Sequence, residues 1–331
     1  MHVIGFYVDH FNYRGTNDAR HRYAHYNEVL LGNKSILFRR LPALCPQFDN
    51  AEVEAQANAR FTVLYYRTLE ELTQLCKTHK VEAMYYIVGD ANSKLDCPPG
   101  MHRFYHCVFS MNIPSTSDFP TTYAGISTTI GEPHVDHMVE IDSSNEDLRA
   151  DLGIPKDAVV FGRHGGADCY DPYYVTEAVI ELAQQNSKVF FVFMPRPMTF
   201  NRYGKLPSNI IFLPPSVDPV YKRKFLNTCD AMIHSKAIGE SFGLACMEFS
   251  AANKPVLTHA CTHPCNHNQH LLNLGDKAWV FKDKSSCLAQ MNKLVSNIDH
   301  VHNMDWNVAD QFTPEKVMKQ FNEVFIAAIS K

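Results

Sequence analysis

Residues 229–258 read CDAMIHSKAIGESFGLACMEFSAANKPVLT. Residues 231–234 form an apolar, strand-favouring run, and 235–240 are a polar loop containing Gly239. Residues 242–252 carry helix formers, and 255–258 return to a short apolar strand, Pro-Val-Leu-Thr. Two strands joined through a helix in so short a stretch make a βαβ unit, and a βαβ unit requires a parallel sheet. Gly239 and Gly243 flank the point where loop becomes helix. The unpaired N–H groups of such a helix start, with the positive end of its dipole, suit a phosphate or a sugar hydroxyl.

The same alternation extends outward from this stretch. Downstream, 278–281 reads as a strand, and helical runs at 285–297 and 314–330 close the chain. In the last run Val317, Met318, Phe321, Val324, Phe325 and Ala328 form one helical stripe. Upstream, 159–162, 189–194 and 210–213 are strands, with helices at 172–185 and 220–226. Residues 189–194, VFFVFM, are apolar throughout, as expected of a parallel strand covered on both faces. A polar stretch, 141–157, interrupts the pattern with the composition of an interdomain connection. Before it lies a second α/β block. It has strands at 3–8, 35–38, 83–88, 104–110 and 123–127, and helices at 18–31 and 69–76, the former stopped by Gly32-Asn33.

The expectation is an α/β chain of two Rossmann-like, doubly wound parallel-sheet domains facing across a cleft. Residues 1–142 would form the first domain, 143–157 a linker and 158–312 the second domain. Residues 313–331 would be a helix packing back on the first. In open α/β sheets ligands bind beyond the carboxyl ends of the strands.

Composition bounds the function classes. The 331 residues suit two domains, and 45% apolar with 20% charged residues is globular rather than disordered. A net charge of −4 with dispersed Lys and Arg argues against nucleic acid as the main ligand. The longest apolar run, 189–194, is too short to span a bilayer, which leaves only peripheral membrane contact. The opening MHVIGFYVDH lacks the features of a signal peptide, and ten cysteines are too sparse for a disulfide scaffold. The expected location is the cytoplasm.

Two carboxylates stand out in the 229–258 stretch. Glu240 precedes the helix and Glu248 lies two turns inside it, on the order of 12 Å further along. They can address the two ends of an elongated ligand. The plainer alternative is a surface helix capped by Ser241 with two solvated glutamates.

The segment E-S-F-G-L-A-C-M-E followed by N-K-P-V-L resembles the E-x7-E motif of retaining glycosyltransferases of the GT-B fold, especially the GT4-like group. Asp230, Glu240, Phe242, Gly243, Glu248, Pro255 and Val256 fall on the motif's positions, and Ser241 stands where Gly is common. The resemblance is close over about thirty residues and architectural elsewhere. It implies that Glu240 sits against the donor sugar near its reacting face. Glu248 would accept hydrogen bonds from the nucleotide ribose, with Ser241, Phe242 and Gly243 also in the donor site. It further implies Gly-Arg after the first strand of the second domain, and Arg163 matches as a diphosphate ligand. The Lys usual about six residues later is absent from HGGADCYDP, so another cation substitutes or Gly165 and Gly166 N–H groups hold the diphosphate. Arg196 and Lys236 are candidates.

In the first domain Gly15 and Thr16 match the family's Gly-rich donor loop, although a tight turn without ligand reads equally well. His106 resembles a histidine near the reacting centre, with a satisfied core histidine as the alternative. The 133–136 stretch resembles the crossing towards the second domain and reads as structural.

One cluster points elsewhere. His259, Cys261, His263, Cys265, His267 and His270 fall within twelve residues. They lack a C-x2-C knuckle and match no common zinc module, so a sugar-facing loop is favoured over a metal site. The function the resemblance implies is transfer of a sugar from a nucleotide-sugar donor to a glycan or other hydroxyl acceptor. It would proceed with retention and without metal or other cofactor. A GT-B epimerase or phosphorylase and a non-catalytic glycan-binding or scaffold protein are the alternatives.

Overall fold

The computed structural model describes residues 1–41, 47, 49–261 and 267–329. The chain forms two compact units, Met1–Met138 with Phe312–Lys331, and Val139–Gln311. The first contains β1 (Val3–Val8), α1 (Gly15–Val29), β2 (Lys34–Arg40), α2 (Ala51–Arg60), β3 (Thr62–Tyr66), α3 (Leu69–Thr78), β4 (Ala83–Asp90), β5 (His102–Ser110) and β6 (Thr121–Gly125). Its six strands run in the order β3-β2-β1-β4-β5-β6, every pair parallel. The order reverses between β1 and β4, which is the switch point of this sheet.

The second unit contains β7 (Val159–His164), α4 (Tyr173–Gln185), β8 (Val189–Met194), β9 (Ile210–Phe212), α5 (Pro219–Thr228), β10 (Ala231–His234) and β11 (Gly239–Glu240). It continues through α6 (Leu244–Ala251), β12 (Val256–His259), β13 (His267–Asn268), α7 (Gln269–Leu274), β14 (Ala278–Phe281), α8 (Lys284–Ser296) and α9 (Ile298–His302). Six strands form one sheet in the order β14-β12-β10-β7-β8-β9, again all parallel. The two-residue strands β11 and β13 pair separately. The reversal falls between β7 and β10, where Met232 lies opposite Gly162. Five of the six residues of β8 are buried, which explains its unbroken apolar run. Phe161, Phe191, Phe193, Val175 and Leu182 lie in the core of this unit.

The C-terminal helix, α10 (Pro314–Val324), belongs to the first unit. Its fully buried Phe321 stacks on Tyr23 of α1 at a centroid distance of 5.4 Å, and Phe325 meets Tyr85 and Phe104. The apolar stripe of the sequence thus finds its partner, although the helix stops at Val324 and a 3-10 turn, Ile326–Ala328, follows. Residues 143–157 form turns tied to the second unit. Thr228 Oγ1 accepts from the Leu148 N–H at 2.8 Å, and Arg149 pairs with Asp230 at 2.8 Å.

In the first unit two elements, α2 and β3, have no counterpart in the sequence reading. Helix α2 buries only Val53 and Ala57, so it carries almost no apolar periodicity. Its start is set by Asn50, whose side-chain oxygen accepts from the N–H groups of Glu52 and Val53 at 3.0 and 3.2 Å. Replacing Asn50 by Ala is expected to destabilise the first unit by about 1 kcal/mol, read as a lower urea midpoint at unchanged slope. An unchanged midpoint would remove the cap from the account of this helix.

Candidate functional site

Of the residues that the sequence singles out in 229–258, Glu240 and Glu248 lie at the carboxyl ends of β10 and β7, beside His234 and His164, at the switch point of the second sheet. Strand β10 ends at His234, a tight loop follows, and β11 carries Glu240. Gly239 has φ +72° and a Cβ there would lie 1.8 Å from the His267 carbonyl oxygen. Only glycine lets β11 approach β13 so closely. Gly243, with φ +87°, is the N-cap of α6, and a Cβ would meet that of His270 at 2.5 Å. Both glycines therefore fix where Glu240 is presented.

Glu240 is about one-quarter exposed and lies between two partners. Lys236 Nζ is 2.9 Å from one carboxylate oxygen and His234 Nε2 is 3.4 Å from the other. Burial opposes its ionisation, but the His234 hydrogen bond and the Lys236 charge outweigh it and hold the carboxyl well below the usual range. Lys236 in turn is raised: burial pushes it down, and the Glu240 charge more than compensates. The site therefore presents a fixed carboxylate beside a fixed ammonium.

Glu248 is completely buried on α6. Its oxygens contact Lys222 Nζ of α5 at 2.6 Å and His164 Nε2 of β7 at 3.1 Å. His164 stacks on Phe249 and is lowered, chiefly by burial. Arg163, 3% exposed, donates to the carbonyls of Gly165, Gly166 and Cys169 at 3.3, 2.6 and 2.9 Å. Its guanidinium also faces the Tyr170 ring at 5.4 Å. It shapes the loop after β7, in which Gly165 takes φ +124°. The Ser235 hydroxyl and Ala237 N–H bind Asp171 from the same loop, at 2.6 and 2.9 Å. Ser241 and Phe242 are buried between Glu240 and α6.

Other sequence candidates fall elsewhere. Arg196 donates to the Phe200 carbonyl at 2.9 Å and covers the Phe212 ring at 4.5 Å. Gly15 and Thr16 open α1 in the first unit. His106 lies in the core of that unit, wholly buried. Its Nε2 donates to the Val135 carbonyl at 2.7 Å and its Nδ1 accepts from Tyr85 at 2.7 Å. With both ring nitrogens engaged inside the core, His106 has no atom to offer a substrate, and the core reading of this residue replaces the catalytic one.

Of the 259–270 cluster, His263 and Cys265 lie outside the described residues. His259, Cys261 and His270 are buried, and among the described residues no group of three or more His, Cys, Asp or Glu is arranged to hold a metal. A cavity of about 800 Å³ opens at the opposite, amino edge of the second sheet, beside Asp230, Lys254 and His302 and away from Glu240. The sequence reading missed His234, Thr258 and Lys222. The only available signal was a polar side chain at the end of an apolar strand or on the inward face of a helix.

No protein-family model matches the chain, and no curated protein matches it by sequence. Solved structures do. Anabaena HepE in complex with UDP-glucose superimposes with a TM-score of 0.72 at 13% identity, covering 99% of this chain and 100% of that one. The fold is GT-B. WaaG, a glycosyltransferase involved in lipopolysaccharide biosynthesis, matches with a TM-score of 0.65 at 12% identity, over 97% of this chain and 99% of the other. A UDP-N-acetylglucosamine 2-epimerase matches more weakly, with a TM-score of 0.55 at 10% identity over 100% and 98% of the two chains. At these identities the likeness concerns the GT-B fold. Among the described residues no helix is long and apolar enough to cross a membrane.

Proposed function

We propose that this GT-B chain transfers a sugar from a nucleotide-sugar donor to a hydroxyl of a glycan or other acceptor, with retention of anomeric configuration. The observation that carries the reading is Glu240, held as a carboxylate at the switch point of the second sheet by His234 and Lys236. Transfer breaks the bond between the anomeric carbon and the diphosphate oxygen. It forms a bond from that carbon to the acceptor oxygen, whose proton passes to the departing diphosphate. Attack on the face the leaving group vacates gives retention.

Positive charge grows on the sugar as the bond breaks, and negative charge on the diphosphate. The Glu240 carboxylate accepts from the sugar hydroxyls and opposes the first charge. Lys236 and the N–H groups at the start of α6 oppose the second, in the place of the family's missing lysine. Arg163 contributes by holding the Gly165–Gly166 backbone in position. A ribose contact by Glu248 requires Lys222 or His164 to yield one oxygen to the diol. This scheme calls on no metal or other cofactor, and it suits synthesis of a glycan in the cytoplasm.

The test is a thermal-shift panel of UDP, GDP, ADP and their sugar conjugates, with UDP and UDP-glucose first. One nucleotide class at about 100 times its Kd should stabilise the chain by roughly 2.7 kcal/mol, a rise of several degrees in Tm. No shift with any of them at millimolar concentration overturns the proposal. The weaker likeness to an epimerase supplies a second reading. Products separate the two: free UDP and a new glycosidic bond indicate transfer, and an altered UDP-sugar indicates epimerisation.

A further inference from the structure

Behind Glu240 runs a line of buried polar side chains. His234 Nδ1 lies 2.8 Å from Thr258 Oγ1 on β12, and the same oxygen lies 3.2 Å from His270 Nε2 on α7. Thr258 and His270 are fully buried and His234 is 4% exposed. Three neighbouring elements therefore each contribute one member: β10 and β12, paired through His234 and Thr258, and α7, which packs against α6. The aromatic rings of His234 and His270 also meet edge to face at 5.1 Å.

We propose that His234 is a positioning residue for Glu240, and that Thr258, backed by His270, fixes the imidazole so that Nε2–H is always the atom turned to the carboxylate. The hydrogen-bond inventory carries the inference. An ionised carboxylate only accepts, so the nitrogen facing it must bear a proton. When His234 is neutral, its Nδ1 is then an acceptor, Thr258 donates to it, and Thr258 accepts from His270 Nε2–H. When His234 is an imidazolium, Nδ1 donates to Thr258 and Thr258 donates to His270 Nε2, which accepts once the His270 proton lies on Nδ1 instead. A hydroxyl is the one side-chain group that serves both directions with a single oxygen, so the chain reverses without the ring moving. Lys236 fixes the other carboxylate oxygen, and Cys261 Sγ lies 3.7 Å from the same His270 Nε2 that faces Thr258. Burial holds the His270 imidazolium down to about 3, with His234 adding to the effect, so this ring acts as a neutral partner near neutral pH.

The functional half of the inference rests on the transferase reading, whereas the geometry can be tested without it. Nitrogen-15 NMR of the histidines in the intact chain, with His234 assigned through H234Q, should show a protonated Nε2. That resonance should move in Glu240→Gln, and the Nδ1 resonance should move in Thr258→Val. An unprotonated Nε2, or a His234 ring indifferent to both substitutions, overturns the proposal. In turnover of the nucleotide sugar that stabilises the chain, Thr258→Val should lower kcat about tenfold with KM nearly unchanged. This is a fraction of the roughly 10²-fold loss that a misplacement of about 1 Å can cause. Thr258→Ser should restore it, and H234Q, which keeps a donor near Nε2, should exceed His234→Ala. Equal kcat in Thr258→Val and wild type, or no difference between the two His234 variants, overturns the positioning role. If the wild type turns over none of the nucleotide sugars of the panel, the transferase reading takes the failure and the NMR result decides the geometry.

Discussion

Glu240→Gln is expected to lower turnover of the stabilising nucleotide sugar by about 10²–10³-fold, the usual cost of removing one preorganised electrostatic group from a water-poor site. The substitution keeps the shape of the side chain and removes its charge. Two features of the site make the loss large. The carboxyl is held ionised by His234 and Lys236, so the charge is present throughout the working pH range. The backbone that carries it is held by the close approaches of Gly239 to His267 and of Gly243 to His270, so the side chain is presented from one position. Binding of the free nucleotide should change little, because the Glu240 contact is assigned to the sugar. Stability should fall modestly, since the amide leaves Lys236 without its counter-charge and Lys236 is still partly reached by water. Turnover within threefold of wild type would sink the assignment of Glu240, and an unfolded variant would be evident as a lost thermal transition.

Acid is expected to destabilise the chain well before its carboxylates protonate. Burial pushes His106 down to about 3, with the neighbouring His137 adding to the effect, and pushes His137 down to about 4. An unfolded histidine titrates near 6.5. Both are therefore neutral when folded and protonated when unfolded across the interval between these values. Because the unfolded state binds more protons there, stability is complete above about pH 6.5 and is lost as pH falls towards the folded values. At pH 5 each group costs about 2 kcal/mol, from 1.5 units at about 1.4 kcal/mol per unit, or about 4 kcal/mol for the pair. His270 acts in the same sense in the second unit. Differential scanning calorimetry from pH 7.5 to 5 should show a steadily falling Tm, and His106→Gln should flatten the slope. A Tm that stays level or rises over that interval would contradict the assigned core role of these imidazoles.

His106 also shows how far residues alone can be read. A histidine on an apolar strand has the same sequence signature whether it faces a substrate or a core. Its two partners, Tyr85 and the Val135 carbonyl, come from positions 21 and 29 residues away. Arg163 is similar. Its place after β7 was legible, but its donors end on the loop that follows, which depends on how residues 165–169 fold back. Helix α2 escaped because a helix burying two side chains leaves little periodicity to detect.

The sequence by itself determined the βαβ alternation, both parallel sheets and the stretch that bears Glu240. Those features rest on local propensity and apolar period, which neighbouring residues carry among themselves. Only the tertiary structure decided what each polar side chain faces. It set Glu240 between His234 and Lys236, enclosed Glu248 with Lys222 and His164, and linked His234 through Thr258 to His270. The physical reason is that burial and hydrogen bonding are properties of packed neighbours. In parallel sheets those neighbours come from strands and helices far apart along the chain.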